Sequence, residues 1–264
     1  MNRRDFLHSI SGVAAALNSP SPAGWAAEKR SAAREIMTVR GRIRGRDMGV
    51  TLTHEHALAS FQTYEERMRR QEPYDRDEVV DVILPLLARI RSLGCRTFID
   101  ATAVGLGRDP LLLLRLAERS GLNILTATGN YAAADYKFLP PYVYSDSPEA
   151  LAKRWVLEWT HGIEGTDVRP GFIKLGFNGG ALSSAEQTLI RAAVIAHRET
   201  GMTIGAHTGP AIAAFEQLKI LESARIHRLP GYGSMRRTNA TRRSTREPRG
   251  SARGSPLMAY RPSQ

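Results

Sequence analysis

Two histidines one residue apart, His54 and His56, follow a short run that reads as a strand, in Thr51-Leu-Thr-His54-Glu55-His56. Residues i and i+2 of a strand project to the same face. The spacing therefore sets two imidazoles side by side, as ligation of a shared metal ion requires. Gly171-Phe-Ile-Lys174-Leu-Gly176 places a lysine inside an apolar strand, and Thr203-Ile-Gly-Ala-His207-Thr places a histidine at a strand end.

Each of these residues has a plainer reading. His161, His197 and His227 read as structural or exposed. For Lys174 the plain reading is a lysine snorkelling from a strand edge, but Phe172, Ile173 and Leu175 around it argue for burial. Glu55 points away from its neighbours and reads as supporting or structural. Asp100 either orients a ligand or fills a buried hydrogen-bonding role. Arg108-Asp109 reads as a loop-bracing pair, and Tyr131 as either a pocket wall or core. Gly179-Gly180 is a loop turn, because no phosphate-loop lysine follows it. The single Cys95 excludes an internal disulfide and a cysteine-based zinc site.

The elements that must position these residues alternate. Ile36–Arg44 reads as a short β element, and Gly49–Thr53, Thr97–Ala101, Asn123–Thr128, Phe172–Leu175 and Thr203–Ala206 as strands. Between them, helical apolar spacing covers Asp77–Leu93 (with Pro85 as a candidate kink), Pro110–Arg119, Pro148–Thr160, Ser184–Thr200 and Pro210–Leu221. The connection Tyr131–Ser147, with Pro140-Pro141 and four tyrosines, reads as an active-site loop. Five βα units imply a parallel sheet covered by helices. Periodicity alone leaves a barrel and an open doubly wound sheet equally available.

The ordered set of strand-end motifs resembles the phosphotriesterase family of the amidohydrolase superfamily. Besides the segments above it includes Phe98-Ile-Asp-Ala-Thr with Gly105-Leu-Gly-Arg-Asp109, and Asn123-Ile-Leu-Thr-Ala-Thr-Gly129-Asn-Tyr131. The resemblance runs from about Ile36 to about Glu222 and decides for a (β/α)8 TIM-type barrel, here incomplete at about five units, with strand C-terminal ends building the site. It implies two divalent metal ions, zinc or else manganese, cobalt or iron. His54 and His56 match ligands of the more buried metal, and His207 a ligand of the outer one. Lys174 matches the lysine that reacts with carbon dioxide to give a bridging carbamate. The implied reaction is hydrolysis of an ester, lactone or organophosphate by a bridging hydroxide. A further family histidine and aspartate have no counterpart in the chain, so little or no activity is expected of it as written. The resemblance also suggests a homodimer.

Charge is concentrated at the two ends. The chain carries +11, of which residues 225–264 hold +9, with ten arginines and one acid, and residues 1–30 hold +2. Residues 31–224, the partial barrel, are neutral overall, so no nucleic-acid partner is expected. Asn2-Arg3-Arg4-Asp5-Phe6-Leu7, a mildly apolar stretch and small residues near Ala26 resemble a twin-arginine signal peptide over residues 1–30, which implies periplasmic or secreted protein. The apolar stretch is too short for stable membrane insertion. Residues 225–264 read as a disordered basic tail. Back-translation from the third base of the Tyr232 codon allows Trp-Val-His-Ala-Ala-Asn-Glu, which resembles the family's sixth strand, so the tail is expected to be a frame-shifted reading. Two other readings stand beside the hydrolase: a non-catalytic barrel remnant, and a basic-tailed protein that binds anionic surfaces or nucleic acid.

Overall fold

The structure is a computed structural model that describes residues 35–70 and 74–226. The expected signal peptide and basic tail lie outside those residues, as does His227. Strands are β1 (Glu35–Thr38), β2 (Gly41–Arg44), β3 (Val50–Glu55), β4 (Cys95–Asp100), β5 (Asn123–Leu125), β6 (Ala127–Thr128), β7 (Phe172–Phe177) and β8 (Thr203–Thr208). Helices are α1 (Tyr64–Arg70), α2 (Arg76–Ser92), α3 (Pro110–Ser120), α4 (Tyr142–Ser145), α5 (Pro148–His161), α6 (Ser184–Thr200) and α7 (Ala211–Ser223).

The order β3-β4-β5 and then β6-β7-β8 is parallel throughout, so consecutive strands are neighbours in space. This is the strand order of a (β/α)8 barrel, in five units. Among the described residues the barrel does not close: β3 and β8 each pair on one side only. Val50 on β3 is 65% exposed and Phe215 on α7 is 60% exposed.

Local chemistry explains the elements. Asp75, Asp109 and Ser147 cap α2, α3 and α5 through side-chain acceptors, and Ser183 with Glu186 forms a capping box on α6. Gly121 and Gly201 end α3 and α6 in the left-handed conformation. Pro85 leaves α2 unbroken over Arg76–Ser92. The expected strand Asn123–Thr128 is interrupted at Thr126, whose carbonyl accepts from Gly171 N (2.9 Å). The β element at Ile36–Arg44 is an antiparallel hairpin, tied to the barrel by Val39 N donating to Ile124 O (2.8 Å).

Two cores flank the sheet. One packs α2 and α3 on β4 and β5 through Phe98, Leu112, Leu116 and Ile124. The other packs α5 and α6 on β7 through Trp155, Leu189, Ile173 and Leu175. A small separate cluster of Ala101, Leu125, Ala127 and Phe172 packs between these strands. Beneath it lies a cleft of about 620 Å³, lined by the hairpin and by Thr51, Ile99, Leu125, Phe172 and Thr203. None of the predicted ligands reaches that cleft; they project at the other end of the strands. Among the described residues no helix is long and apolar enough to cross a membrane.

Candidate metal centre

His54 lies within β3, and His56 one residue beyond its end. Their presentation depends on a feature with no signal in the spacing. The register against β4 pairs Leu52 with Phe98 but Glu55 with Asp100, so β3 carries one extra residue between Leu52 and Glu55. Such a bulge reverses the side-chain parity. Thr51 and Thr53 line the cleft below, whereas His54 and His56 take over at the mouth. The two ring centres are 5.6 Å apart. Two imidazoles on one tetrahedral zinc, with N–metal distances of about 2.0–2.1 Å, have ring centres about 5 Å apart.

Lys174 sits mid-way along β7, with only 1% of its surface exposed. Its Nζ is 3.0 Å from His54 Nε2. Across the ladder it pairs with Gly205, and Gly176 pairs with His207. Both partners lack a side chain, which leaves room for the lysine and for the His207 imidazole. The His207 ring centre is 6.5 Å from that of His54. The fold thus brings the four predicted ligands, from β3, β7 and β8, close to one another on one side of the sheet.

Thr102, which the sequence reading did not single out, fixes the tautomer of His56. Its Oγ1 lies 2.9 Å from His56 Nδ1 and donates to Leu58 O at 3.3 Å. With the hydroxyl proton committed to the carbonyl, Nδ1 must carry the hydrogen, and Nε2 presents a free lone pair. Asp100 is buried and accepts from Ala57 N (2.8 Å) and Thr102 N (2.9 Å). It therefore braces the loop around His56, the second of its two expected roles. Burial pushes its carboxyl up, opposed by those donors and by His56.

Burial, and then the charge of Lys174, lowers His54 to about 4. Burial lowers His56 and His207 as well, and burial alone lowers Lys174 to about 8. All four nitrogens are biased toward the unprotonated form that metal ligation or attack on carbon dioxide requires. Among the described residues no three His, Cys, Asp or Glu side chains suffice to hold a metal ion. A lysine converted to an anionic oxygen donor fits that need: the donor set then becomes imidazoles plus a carboxylate-type oxygen, suited to zinc, manganese, cobalt or iron.

The remaining predicted residues divide. Tyr131 faces the site, its ring centre 5.6 Å from His207. It lies flat enough against the chain that a Cβ on Gly176 would come within 2.3 Å of it. Arg108 and Asp109 brace the framework. Buried Arg108 holds Glu158 (2.7 Å), Glu164 (2.9 Å) and Ala127 O (3.0 Å). Asp109 caps α3 and takes Arg76 Nε at 2.7 Å as well as the Tyr74 hydroxyl. His161 meets Thr160, and His197 meets Met202 O, both away from the centre.

In the loop after β6, Ala134, Asp135 and Tyr136 all take positive φ, at 61°, 56° and 62°. Left-handed non-glycine residues occur singly as a rule and cost about 1–2 kcal/mol each. The only sequence hint was the expectation that this loop borders the site.

The phosphotriesterase family profile matches residues 34–227. A phosphotriesterase homology protein of Mycobacterium tuberculosis is 34% identical over 179 residues, covering 66% of this chain and 54% of its own length. The aryldialkylphosphatase of Saccharolobus solfataricus is 32% identical over 168 residues, covering 63% and 51%. The solved organophosphorus hydrolase from Deinococcus radiodurans superposes with a TM-score of 0.66 at 30% identity, over 72% of this chain and 58% of that one. The chain spans about half the length of the curated relatives it matches. A profile match across most of the described residues, relatives above 30% identity and the superposition on a solved organophosphorus hydrolase agree: the chain belongs to the phosphotriesterase family.

Proposed function

We propose that this chain is a metal-dependent hydrolase of phosphotriesters, lactones or related esters, with activity weak beside that of its longer relatives. The observation that carries the reading is Lys174: a fully buried lysine, biased toward the neutral amine, 3.0 Å from His54 and on the same rim as His56 and His207. A buried lysine without a carboxylate partner is costly unless it is converted to something else, and carboxylation by carbon dioxide is the conversion that supplies a ligand. His54, His56, carboxylated Lys174 and His207 would hold two divalent ions, zinc being the first candidate. Bound metal would supply Lewis-acid polarisation of the substrate oxygen and an acidified water. The chain's own residues orient the donors: Thr102 sets the His56 tautomer, and Asp100 braces its loop. Tyr131 forms the wall beside His207.

The test is to load the protein with zinc in bicarbonate buffer, count bound metal, and measure release of p-nitrophenol from a dialkyl aryl phosphate beside ring opening of a lactone. Metal-dependent turnover that is lost in Lys174→Ala supports the reading. Full metal loading with no hydrolysis of either class, under conditions where a longer relative turns over, refutes it. The twin-arginine pattern at Asn2–Leu7 further supports export to the periplasm, which cell fractionation checks. Sedimentation velocity checks the expected homodimer.

A further inference from the structure

We infer that Asn178 and Glu186 are positioning residues that hold the left-handed turn Ala134–Tyr136 in place and, through it, seat Tyr131 beside His207 with Phe138 packed against the Tyr131 ring. Asn178 is the first residue past β7, the strand that carries Lys174. Both ends of its amide are used on the neighbouring loop. Oδ1 accepts from Asp135 N at 2.9 Å, and Nδ2 donates to Ala132 O at 2.9 Å. Its own backbone N–H donates to Glu186 Oε1 at 2.7 Å.

Glu186 is 1% exposed. Its carboxylate gathers the N–H of Asn178, the N–H of Ser183 (2.9 Å) and the Tyr136 hydroxyl (3.4 Å). One carboxylate therefore joins the start of α6, the end of β7 and the left-handed turn. A run of three positive φ values persists only where its surroundings over-determine it, and these bonds are the surroundings. The turn's two ends carry the site's aromatic wall. At one end Tyr131 bridges to Gly176, and Ala132 N donates to Gly176 O at 2.9 Å. At the other, buried Phe138 meets the Tyr131 ring with centres 6.2 Å apart. Releasing the turn frees the wall while the strands that carry His54, Lys174 and His207 stay paired.

The clamp stands on geometry alone; its bearing on hydrolysis rests on the function proposed above. The experiment is hydrogen exchange on the full chain, on Asn178→Ala, and on Asn178→Ala combined with Ala134→Gly. Asn178→Ala is expected to speed exchange across 131–139 about tenfold or more, as the loss of both side-chain hydrogen bonds implies, with 172–177 and 184–200 unchanged. Glycine at 134 adopts positive φ without the steric cost, so the double variant is expected to recover protection. Unchanged exchange across 131–139, loosening shared equally by β7 and α6, or no recovery in the double variant would each overturn the inference. In a steady-state assay Asn178→Ala is expected to raise KM several-fold at constant kcat, and a loss of kcat at constant KM would equally overturn the positioning role. If no hydrolysis is detected in any form, the proposed function fails, while the exchange experiment still decides the clamp.

Discussion

Lys174 Nζ lies 3.0 Å from His54 Nε2, and among the described residues nothing acidic shares the contact. Two basic groups, both shifted by burial toward their neutral forms, therefore face one another at the centre of the site. Burial brings the lysine from 10.5 to about 8. In the unfolded chain the amine keeps its ordinary value, so between about 8 and about 10.5 the unfolded chain holds a proton that the folded chain has released. Stability then rises with pH through that window, and below it folding carries the full penalty, about 3 kcal/mol. In metal-free, carbonate-free buffer, Lys174→Met is expected to be more stable than the parent at pH 7 and to lose the rise between pH 8 and 10.5. Urea unfolding at pH 7 and pH 10 measures both; a Met variant weaker than the parent at pH 7 would show that the lysine is held by something other than apolar burial.

Thr102 offers a test of metal binding that leaves every ligand in place. Thr102→Val keeps the shape but removes the acceptor that holds hydrogen on His56 Nδ1. The ring then samples the other tautomer and orientation. Loss of such a supporting bond typically lowers metal affinity roughly 10–100-fold, and competition with a chromogenic zinc chelator reads it. Thr102→Ser restores the hydroxyl and should restore the affinity. Equal affinities in all three proteins would place His56 outside the metal's coordination.

What was legible in the sequence is what depends on neighbours in sequence. The alternation of strands and helices, the paired placement of His54 and His56, the burial of Lys174 within its strand and the strand-end place of His207 all follow from local spacing. The break at Thr126 did not, because it depends on Gly171, 45 residues away, reaching its carbonyl. The extra residue between Leu52 and Glu55 was equally hidden: it exists only as a register against β4, yet it is what turns the histidine pair to the mouth. Thr102, Asn178 and Glu186 are ordinary polar residues in sequence. Their roles arise from contacts across 46, 43 and 50 residues respectively, which no local pattern encodes.

Arg108 separates a buried ion pair from an exposed one on a single guanidinium. Its side chain is 2% exposed, against 20% for Glu158 and 57% for Glu164. Two bonds run to Glu158, one from each terminal nitrogen. Removing the buried partner strands a buried cation, a loss of about 3–5 kcal/mol, whereas an exposed pair contributes about 0–1 kcal/mol. Glu158→Gln is therefore expected to be strongly destabilised in thermal or urea unfolding and Glu164→Gln to be close to the parent. Similar losses in the two variants would mean that the loop at Glu164, and not the α5 carboxylate, anchors the arginine.

Gly129 and Gly176 both approach another chain segment to within reach of a methyl group, but what they approach differs. A Cβ on Gly129 would lie 2.3 Å from Lys174 O, part of the β7 backbone, and Gly129 has φ of 102°. A Cβ on Gly176 would lie 2.3 Å from the Tyr131 ring, a side chain that can turn away. Backbone cannot yield without breaking the pairing of β6 with β7 that holds Thr128 against Ile173. Gly129→Ala is thus expected to lose folded protein outright, since strain and overpacking each cost about 1–3 kcal/mol against a marginal total. Gly176→Ala is expected to fold with near-parent far-UV signal while the Tyr131 ring leaves its contact with His207, read as a change in the near-UV aromatic signal. A well-folded Gly129→Ala protein would show that β6 can separate from β7 without cost, and that the Thr128–Ile173 ladder is not what holds this part of the sheet.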